Sequence, residues 1–446
     1  MKHLKGFPYK KALVVGLAKS GFAAADLLHT SGIDVKVNDL NADSTGEQAV
    51  KLEDAGIPLI TGSHPFELLE DREVVIKNPG IPYENEMIME ASRRNIPVIT
   101  EVELVTYLHD GPIIGITGSN GKTTTTTLVH RMLEEDGKNV QVAGNIGDVA
   151  CEVARKTGAE DTMVIELSSF QLLGIDKLRL HTAVWLNIFD SHLDYHKTRE
   201  NYIEAKSRIM KNQLEEDSFI FNKDDIVVST FREKSVAAAV PFTVEENDRG
   251  ASADGNHVYF DGEIVAERKK IVLVGEHNLQ NCLAAVAACK SAGVTNEAIQ
   301  AVLYSFQGVE HRLQYVEEKK ERYFYNDSKA TNIRATSYAL EAFENPVILL
   351  AGGLDRGNSF DGLAPYLNNV KHLVVFGETS AKLEEVAGEL NIPCTPVDSM
   401  EEAVVMAYRN SEEKDVILLS PACASWDQYR TFEERGNKFV EAVNNL

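Results

Sequence analysis

The string TGSNGKTT, Thr117 to Thr124, stands directly between an apolar run, PIIGI, and a helix-forming run that starts at Lys122. A glycine-rich turn from strand to helix brings the N–H groups of a helix N-terminus to bear on an anion, and a lysine there reaches the terminal phosphates of a nucleotide. Gly118, Asn120, Gly121, Lys122, Thr123 and Thr124 therefore form the candidate nucleotide-binding set, with the Thr123 hydroxyl available to magnesium. The generic pattern GxxxxGK[ST] asks for glycine at 116, where this chain has Ile116 between Gly115 and Gly118, so the loop is a variant form.

A phosphate loop of this kind requires a parallel α/β layer, and the rest of the chain supplies several. The runs ALVVG (12–16), VKVND (35–39), VVIKNPG (74–80) and IPVIT (96–100) alternate with helical patterns such as Phe22–His29, then EVELVTYL leads to a Gly111-Pro112 breaker. After the phosphate loop come MVIELSS (163–169), AVWLNIF (183–189), a hairpin in VYFDGEIV turning at Asp261-Gly262, and a long helix through HNLQNCLAAVAACKSAG. The last third opens with HRLQYV and RYFYND. It continues with PVILLAGG (346–353), HLVVFG (372–377), DVILLSP (415–421) and a closing helix with FEERGNKFVEAV. With 446 residues, length alone favours about three domains. The reading is three α/β domains in series: a Rossmann-like domain over 1–108, a central ATPase-type domain over 109–308, and a Rossmann-like domain over 309–446.

Composition narrows the function classes. The chain carries 45 Lys and Arg against 68 Asp and Glu, a net charge of −23 with no basic block, which disfavours a nucleic-acid partner. Charges beyond roughly 8 Å are screened at physiological salt, so an anionic metabolite remains admissible. No run approaches the roughly 20 apolar residues of a membrane span and no signal-type leader is visible, so the cytosol is the expected compartment. Cys151, Cys282, Cys289, Cys394 and Cys423 show no CxxC spacing and are read as packing residues.

Further residues gather at strand ends. Glu166 closes MVIE, where an acid can reach the magnesium of a bound nucleotide. SHLDYH adds His192, Asp194 and His196. Two histidines four apart are ordinarily surface residues, but this pair follows a strand expected to end at the same crevice. Lys206, in YIEAKSRIM, reads by periodicity as a solvated helix lysine. GLAKSG (16–21) after a strand, with Asp39 ending the next one, resembles a dinucleotide fingerprint. Ala18 replaces its second glycine, which favours another nucleotide diphosphate over nicotinamide, with packing alone as the competing reading. NDSKATN (326–332) places Asp327, Lys329 and Thr331 at an expected helix start, where Asp and Thr serve as ordinary caps and a lysine is less expected. SPACASWDQYRTFEERG suits a loop meeting a ligand, or a tight turn.

Together, TGSNGKTT, ELSSFQL (166–172), AGNIG (143–147), His192, HNLQN (277–281), HR (311–312), NDSKATN and SPACASWDQYRTFEERG resemble the Mur ligases of peptidoglycan synthesis across all three domains. The resemblance implies an ATP-dependent ligase that adds D-glutamate to UDP-N-acetylmuramoyl-L-alanine, a cytoplasmic, monomeric enzyme. It implies ATP with two magnesium sites, served by Thr123, Glu166, His192 and Lys206 as a carbamate. Lys122 and Lys329 would act on the phosphates, Asn278 and Asn281 would approach adenine, and Arg312 and Asp327 would complete the ATP site. Ser20, Asp39, Asn78, Gly80 and Asn145 would meet the uridine-linked substrate. Thr331, Arg356, Ser425 and Phe432 would surround D-glutamate. Two positions depart from the family's habit: Arg356 where a lysine occurs, and Ser191 where an acid commonly precedes the histidine.

The implied chemistry is attack of the alanyl carboxylate on the γ-phosphate, then displacement of phosphate from the acyl phosphate by the amine. Two anions at about 4 Å repel by roughly 4 kcal/mol at an effective dielectric near 20, which accounts for the crowding of cations. Three rivals predict different readouts. Another Mur-type ligase or a folylpolyglutamate synthase would answer to a different amino acid, a phosphate-loop switch or motor would turn over ATP without an amine, and a dehydrogenase would need the glycine that Ala18 replaces.

Overall fold

A computed structural model of the chain describes residues 1–189, 192–357 and 359–446. It forms two compact units, Met1–Lys270 with Gln280–Val302, and Ile271–Leu279 with Leu303–Leu446.

The first unit holds two sheets. The five-stranded one runs, in spatial order, Leu59–Thr61, Asp34–Asp39, Lys11–Val15, Val74–Lys77, Val98–Thr100, and every pairing is parallel. Its order reverses between Lys11–Val15 and Val74–Lys77, so a crevice opens beyond Val15 and Lys77, where such sheets take ligands. Those strands are covered on both faces, which is why they read as continuous apolar runs instead of alternating ones. GLAKSG is a packing device as well as a turn. A Cβ on Gly21 would lie 1.9 Å from the Gly16 carbonyl oxygen, and one on Gly16 would lie 2.7 Å from Asn78 Cβ.

The nine-stranded sheet places Ile113–Thr117 between Thr182–Trp185 and Thr162–Glu166, all parallel, so the phosphate loop, Trp185 and Glu166 share one edge. Its far side ends in the expected hairpin, His257–Phe260 against Glu263–Glu267, turning through Asp261 (φ 48°) and Gly262 (φ 80°). Periodicity did not reveal Val140–Gly144, Ser218–Asn222, Ala238–Thr243 and Ala251–Ala253 as strands of this sheet. EVELVTYL proves to be a 3-10 helix, Glu101–Tyr107, with both glutamates turned inward. Glu103 accepts backbone N–H bonds from Asp176, Lys177 and Leu178, and Glu101 accepts one from Cys151 at 2.6 Å.

The second unit carries a six-stranded sheet in the order Gln314–Lys319, Arg322–Asn326, Val416–Leu419, Val347–Gly352, Val370–Phe376, Cys394–Pro396. Only the first pairing is antiparallel. The cysteines are free; four are buried and Cys394 is partly so, which agrees with a packing role.

Candidate active site

The phosphate loop is built by its neighbours. Ile113–Thr117 is wholly buried, and the helix Lys122–Glu135 begins on Gly121, whose φ of 81° a side chain rarely adopts. The cap residue, being glycine, gives the first turn no side-chain hydrogen bond, and a helix N-terminus reached through such a turn is where backbone N–H groups meet an anion. A Cβ on Gly121 would lie 2.1 Å from Asn281 Oδ1. Asn187 fixes the loop from the adjoining strand end: its Oδ1 accepts from Asn120 N–H at 2.9 Å and its carbonyl from Ser119 N–H at 3.1 Å. Half-buried Lys122 curls over the loop and donates to the carbonyls of Gly118 and Ser119, both at 2.9 Å.

Glu166 is the hub. One carboxylate oxygen accepts from the Thr123 hydroxyl at 2.9 Å, the other from Asn145 Nδ2 at 2.9 Å, and its own carbonyl accepts from Asn145 N–H. These hydroxyl and carboxylate oxygens are the donors a hard divalent cation prefers, so Thr123 and Glu166 fit magnesium.

Lys206 is not the solvated lysine that periodicity suggested. It is 1% exposed, donates to the Gly118 carbonyl at 2.8 Å and to Thr117 Oγ1 at 3.3 Å, and stands 4.9 Å from the Tyr202 ring centre. Burial first, and the charge of Lys122 second, push its amine well below the usual lysine range, opposed by Glu166. Helical spacing missed this because the helix Arg199–Ser207 rests on the phosphate-loop strand instead of facing water.

The two histidines separate. His192 is exposed, caps the short helix Leu193–His196 in a left-handed conformation (φ 54°), and lies 5.0 Å from Phe170, edge to face. His196 is buried, with its Nε2 2.9 Å from Ser169 Oγ and its ring stacked on Phe170. They are therefore not a pair of surface histidines. Ser191 and the side chain of Asp194 lie outside the described residues.

At the switch point of the first sheet, Asn78 Nδ2 donates to Ser20 Oγ at 3.0 Å and its Oδ1 accepts from Gly80 N–H at 3.1 Å. Asp39 is clasped by backbone N–H groups of Leu17, Asn41 and Ala42 at 2.6, 2.8 and 2.8 Å.

In the second unit the expected helix start is displaced: the helix is Ile333–Glu341 and its cap is Asn332, so neither Asp327 nor Thr331 caps it. Asp327 instead directly follows the strand Arg322–Asn326, accepting from Leu313 N–H at 3.1 Å and Ser420 Oγ at 2.9 Å, and burial pushes its carboxyl up to about 7. Arg312 lowers that value in part. Lys329 lies 4.8 Å over the Phe432 ring. A cavity of about 250 Å³ is lined by Thr331, Arg356, Leu354 and Ala424 among others, and Arg356 stacks 5.0 Å over Trp426. Ser425 does not line it, and its hydroxyl is buried with no hydrogen-bond partner among the described residues; Phe432 does not line it either. Asn278 donates to the Val274 carbonyl at 2.8 Å, and Asn281 accepts from Thr125 Oγ1 at 3.4 Å within the first unit.

Arg435, within SPACASWDQYRTFEERG, has no role that its local sequence reveals, and the structure makes it a keystone. Fully buried and in no ion pair among the described residues, it donates to Ser328 Oγ, Ser328 O and Cys423 O at 3.0, 2.8 and 3.0 Å, and to Gly352 O at 3.4 Å. The next residue, Gly436, was the available signal: a Cβ there would strike His311 Nδ1 at 2.2 Å.

Comparison with known proteins agrees with this geometry. Residues 10–100 match the Mur ligase MurD-like N-terminal domain, 116–289 the Mur ligase middle domain, and 311–423 the Mur ligase glutamate ligase domain. The UDP-N-acetylmuramoylalanine–D-glutamate ligase of Bacillus subtilis is 53% identical over 438 residues, 97% of each chain. The protein of that name from Listeria monocytogenes is 50% identical over 449 residues, 100% of this chain and 99% of its own. Among solved structures, UDP-N-acetylmuramate-alanine ligase from Thermotoga maritima gives a TM-score of 0.58 at 20% identity, covering 98% of this chain and 99% of that one. That likeness speaks for the fold.

Proposed function

The chain belongs to the Mur ligase family, and from that premise we propose that it is an ATP-dependent ligase joining D-glutamate to UDP-N-acetylmuramoyl-L-alanine, with release of ADP and phosphate. The observation that carries the reading is the full-length identity to ligases of that name, set on a phosphate loop whose Thr123 and Asn145 meet at Glu166. Ligases of this family require ATP and magnesium. We place the domains at 1–108, 109–308 and 309–446, and read the enzyme as a cytoplasmic monomer; among the described residues no helix is long and apolar enough to cross a membrane.

The substrate's alanyl carboxylate attacks the γ-phosphorus, the bond to ADP breaks, and an acyl phosphate forms. The D-glutamate amine then adds to the acyl carbon, and phosphate leaves. Little covalent work falls to the protein, so its residues position groups and offset charge. The N–H groups at the start of the helix, from Gly121 to Thr124, and the Lys122 ammonium hold the phosphates. Asn120 keeps the loop's shape through Asn187, while Asn278, Asn281, Arg312 and Asp327 take the rest of the nucleotide. Lys329 offsets charge on the transferred group. Ser20, Asp39, Asn78, Gly80 and Asn145 hold the uridine-linked substrate, and Thr331, Arg356, Ser425 and Phe432 hold D-glutamate.

Magnesium, when bound, would offset repulsion between carboxylate and phosphates; Thr123, Glu166, His192 and Lys206 would hold it at two sites. Lys206 would do so as a carbamate. Its uncharged amine adds to carbon dioxide, forming an N–C bond and releasing one proton, and the resulting carboxylate is a ligand the amine could not be. The burial of Lys206, which lowers its amine well below the usual lysine range and so favours the uncharged form, supports this.

The test follows ¹⁸O from the labelled alanyl carboxylate into inorganic phosphate, with D-glutamate present and absent. Transfer dependent on both substrates is expected; phosphate released equally without them would overturn the reading.

A further inference from the structure

Lys77 ends the strand Val74–Lys77 and is fully buried. A lysine removed from water needs either a carboxylate or a set of oxygen dipoles to compensate it. It forms no ion pair among the described residues. Its Nζ instead donates to the carbonyls of Asn78 (3.2 Å), Pro79 (3.2 Å) and Ile81 (2.7 Å) and to the Tyr195 hydroxyl (3.1 Å). The rings of Tyr83 and Tyr195 stand 4.8 and 5.7 Å from it. Burial alone lowers its amine to about 7, so the arrangement costs stability that a methionine of similar length would not.

Two elements meet at this ammonium. One is the turn Asn78–Ile81, which carries Asn78 and Gly80. The other is the helix Leu193–His196, capped by His192. The Tyr195 hydroxyl lies 3.0 Å from the Ile81 carbonyl as well, and its ring packs 4.4 Å from Phe170, which also contacts the rings of His192 and His196. Gly80, Asn85, Tyr195 and Lys197 line one cavity of about 410 Å³. A purely local tie within the turn would need no hydroxyl from a helix more than a hundred residues later.

We propose that Lys77, acting through Tyr195, is a positioning residue that fixes the substrate turn Asn78–Ile81 to the helix capped by His192, so that binding of the uridine-linked substrate and of magnesium are coupled. The inference rests on the ligase reading above and adds to it a path between two sites. Coupling of this kind is reciprocal: each ligand tightens the other by the same factor.

The experiment measures the Kd for UDP-N-acetylmuramoyl-L-alanine by calorimetry with and without magnesium, with a non-hydrolysable ATP analogue bound, and beside it phosphate release at saturating D-glutamate while magnesium is titrated at low and at saturating UDP-N-acetylmuramoyl-L-alanine. The native enzyme is expected to need less magnesium for half-activation when the substrate is saturating. Tyr195→Phe keeps the ring on Phe170 and removes only the hydroxyl. It is expected to raise KM for the uridine-linked substrate about fivefold or more and to shrink the magnesium dependence on substrate, with KM for D-glutamate unchanged. Lys77→Met should do the same, and the double variant should be no worse than the worse single one, because both break one link. If Lys77→Met fails to fold, Tyr195→Phe alone decides. Native enzyme without substrate–magnesium linkage, Tyr195→Phe with linkage and KM intact, or independent effects that multiply would overturn the inference. Native protein that releases no phosphate with both substrates would instead sink the ligase reading.

Discussion

Lys122 and Lys206 donate to the same acceptor, the carbonyl oxygen of Gly118, at 2.9 and 2.8 Å. Two ammonium groups on one carbonyl repel, and that repulsion adds to burial in lowering the Lys206 amine well below the usual lysine range. The shared carbonyl sets the two lysines in different environments, Lys122 half-buried over the loop and Lys206 buried beneath it.

Lys206→Ala is expected to lower phosphate release by roughly 100-fold or more, the scale of losing one group that stabilises transition-state charge. Added formate or acetate should restore part of it by supplying the missing carboxylate. Steady-state assays with and without the acid check this, and no restoration would argue for a purely structural amine.

Gly121→Ala places a side chain at φ 81° and 2.1 Å from Asn281 Oδ1. The left-handed backbone alone costs about 1–2 kcal/mol. KM for ATP should rise on the order of tenfold, with KM for D-glutamate unchanged, as initial-rate kinetics would reveal.

Glu101 supplies a pH signature distant from the chemistry. Burial pushes its carboxyl from 4.5 up to about 7 in the folded protein. Between those values the folded state keeps a proton that the unfolded chain has released, so stability falls as pH rises through this window and levels off above about 7. The full cost is about 3 kcal/mol at 1.36 kcal/mol per unit. Glu101→Gln, which retains an acceptor for Cys151 N–H, should flatten that slope in thermal unfolding between pH 5 and pH 8.

Arg435→Met orphans the carbonyls of Ser328 and Cys423, each at a cost of about 1–3 kcal/mol. A lower unfolding temperature is expected together with a raised KM for D-glutamate. Arg435→Lys should recover little of either, since an ammonium cannot span the same acceptors.

The layers were legible because parallel strands covered on both faces announce themselves as apolar runs. The phosphate loop, Glu166 and the hairpin at Asp261-Gly262 followed from local chemistry. Lys206 was not legible from spacing, since helical periodicity assumes that a lysine faces water, and here the helix lies against Thr117 and Gly118. Asn332 displaced Asp327 and Thr331 as the cap because the strand end and turn consume the earlier residues of NDSKATN. Lys77 and Arg435 escaped for a shared reason: most of their partners are backbone carbonyls, which carry no signature in a sequence.

The Arg435 tripod also sets terms for redesign. A single guanidinium gathers Ser328, Gly352 and Cys423, so the segments they belong to behave as legs of one table, and shortening any leg tilts the whole top. Libraries that vary Thr331, Arg356 and Ser425 one at a time to change amino-acid choice should meet strong epistasis. Combinatorial variation of the three stretches is the better route to a ligase with a new taste.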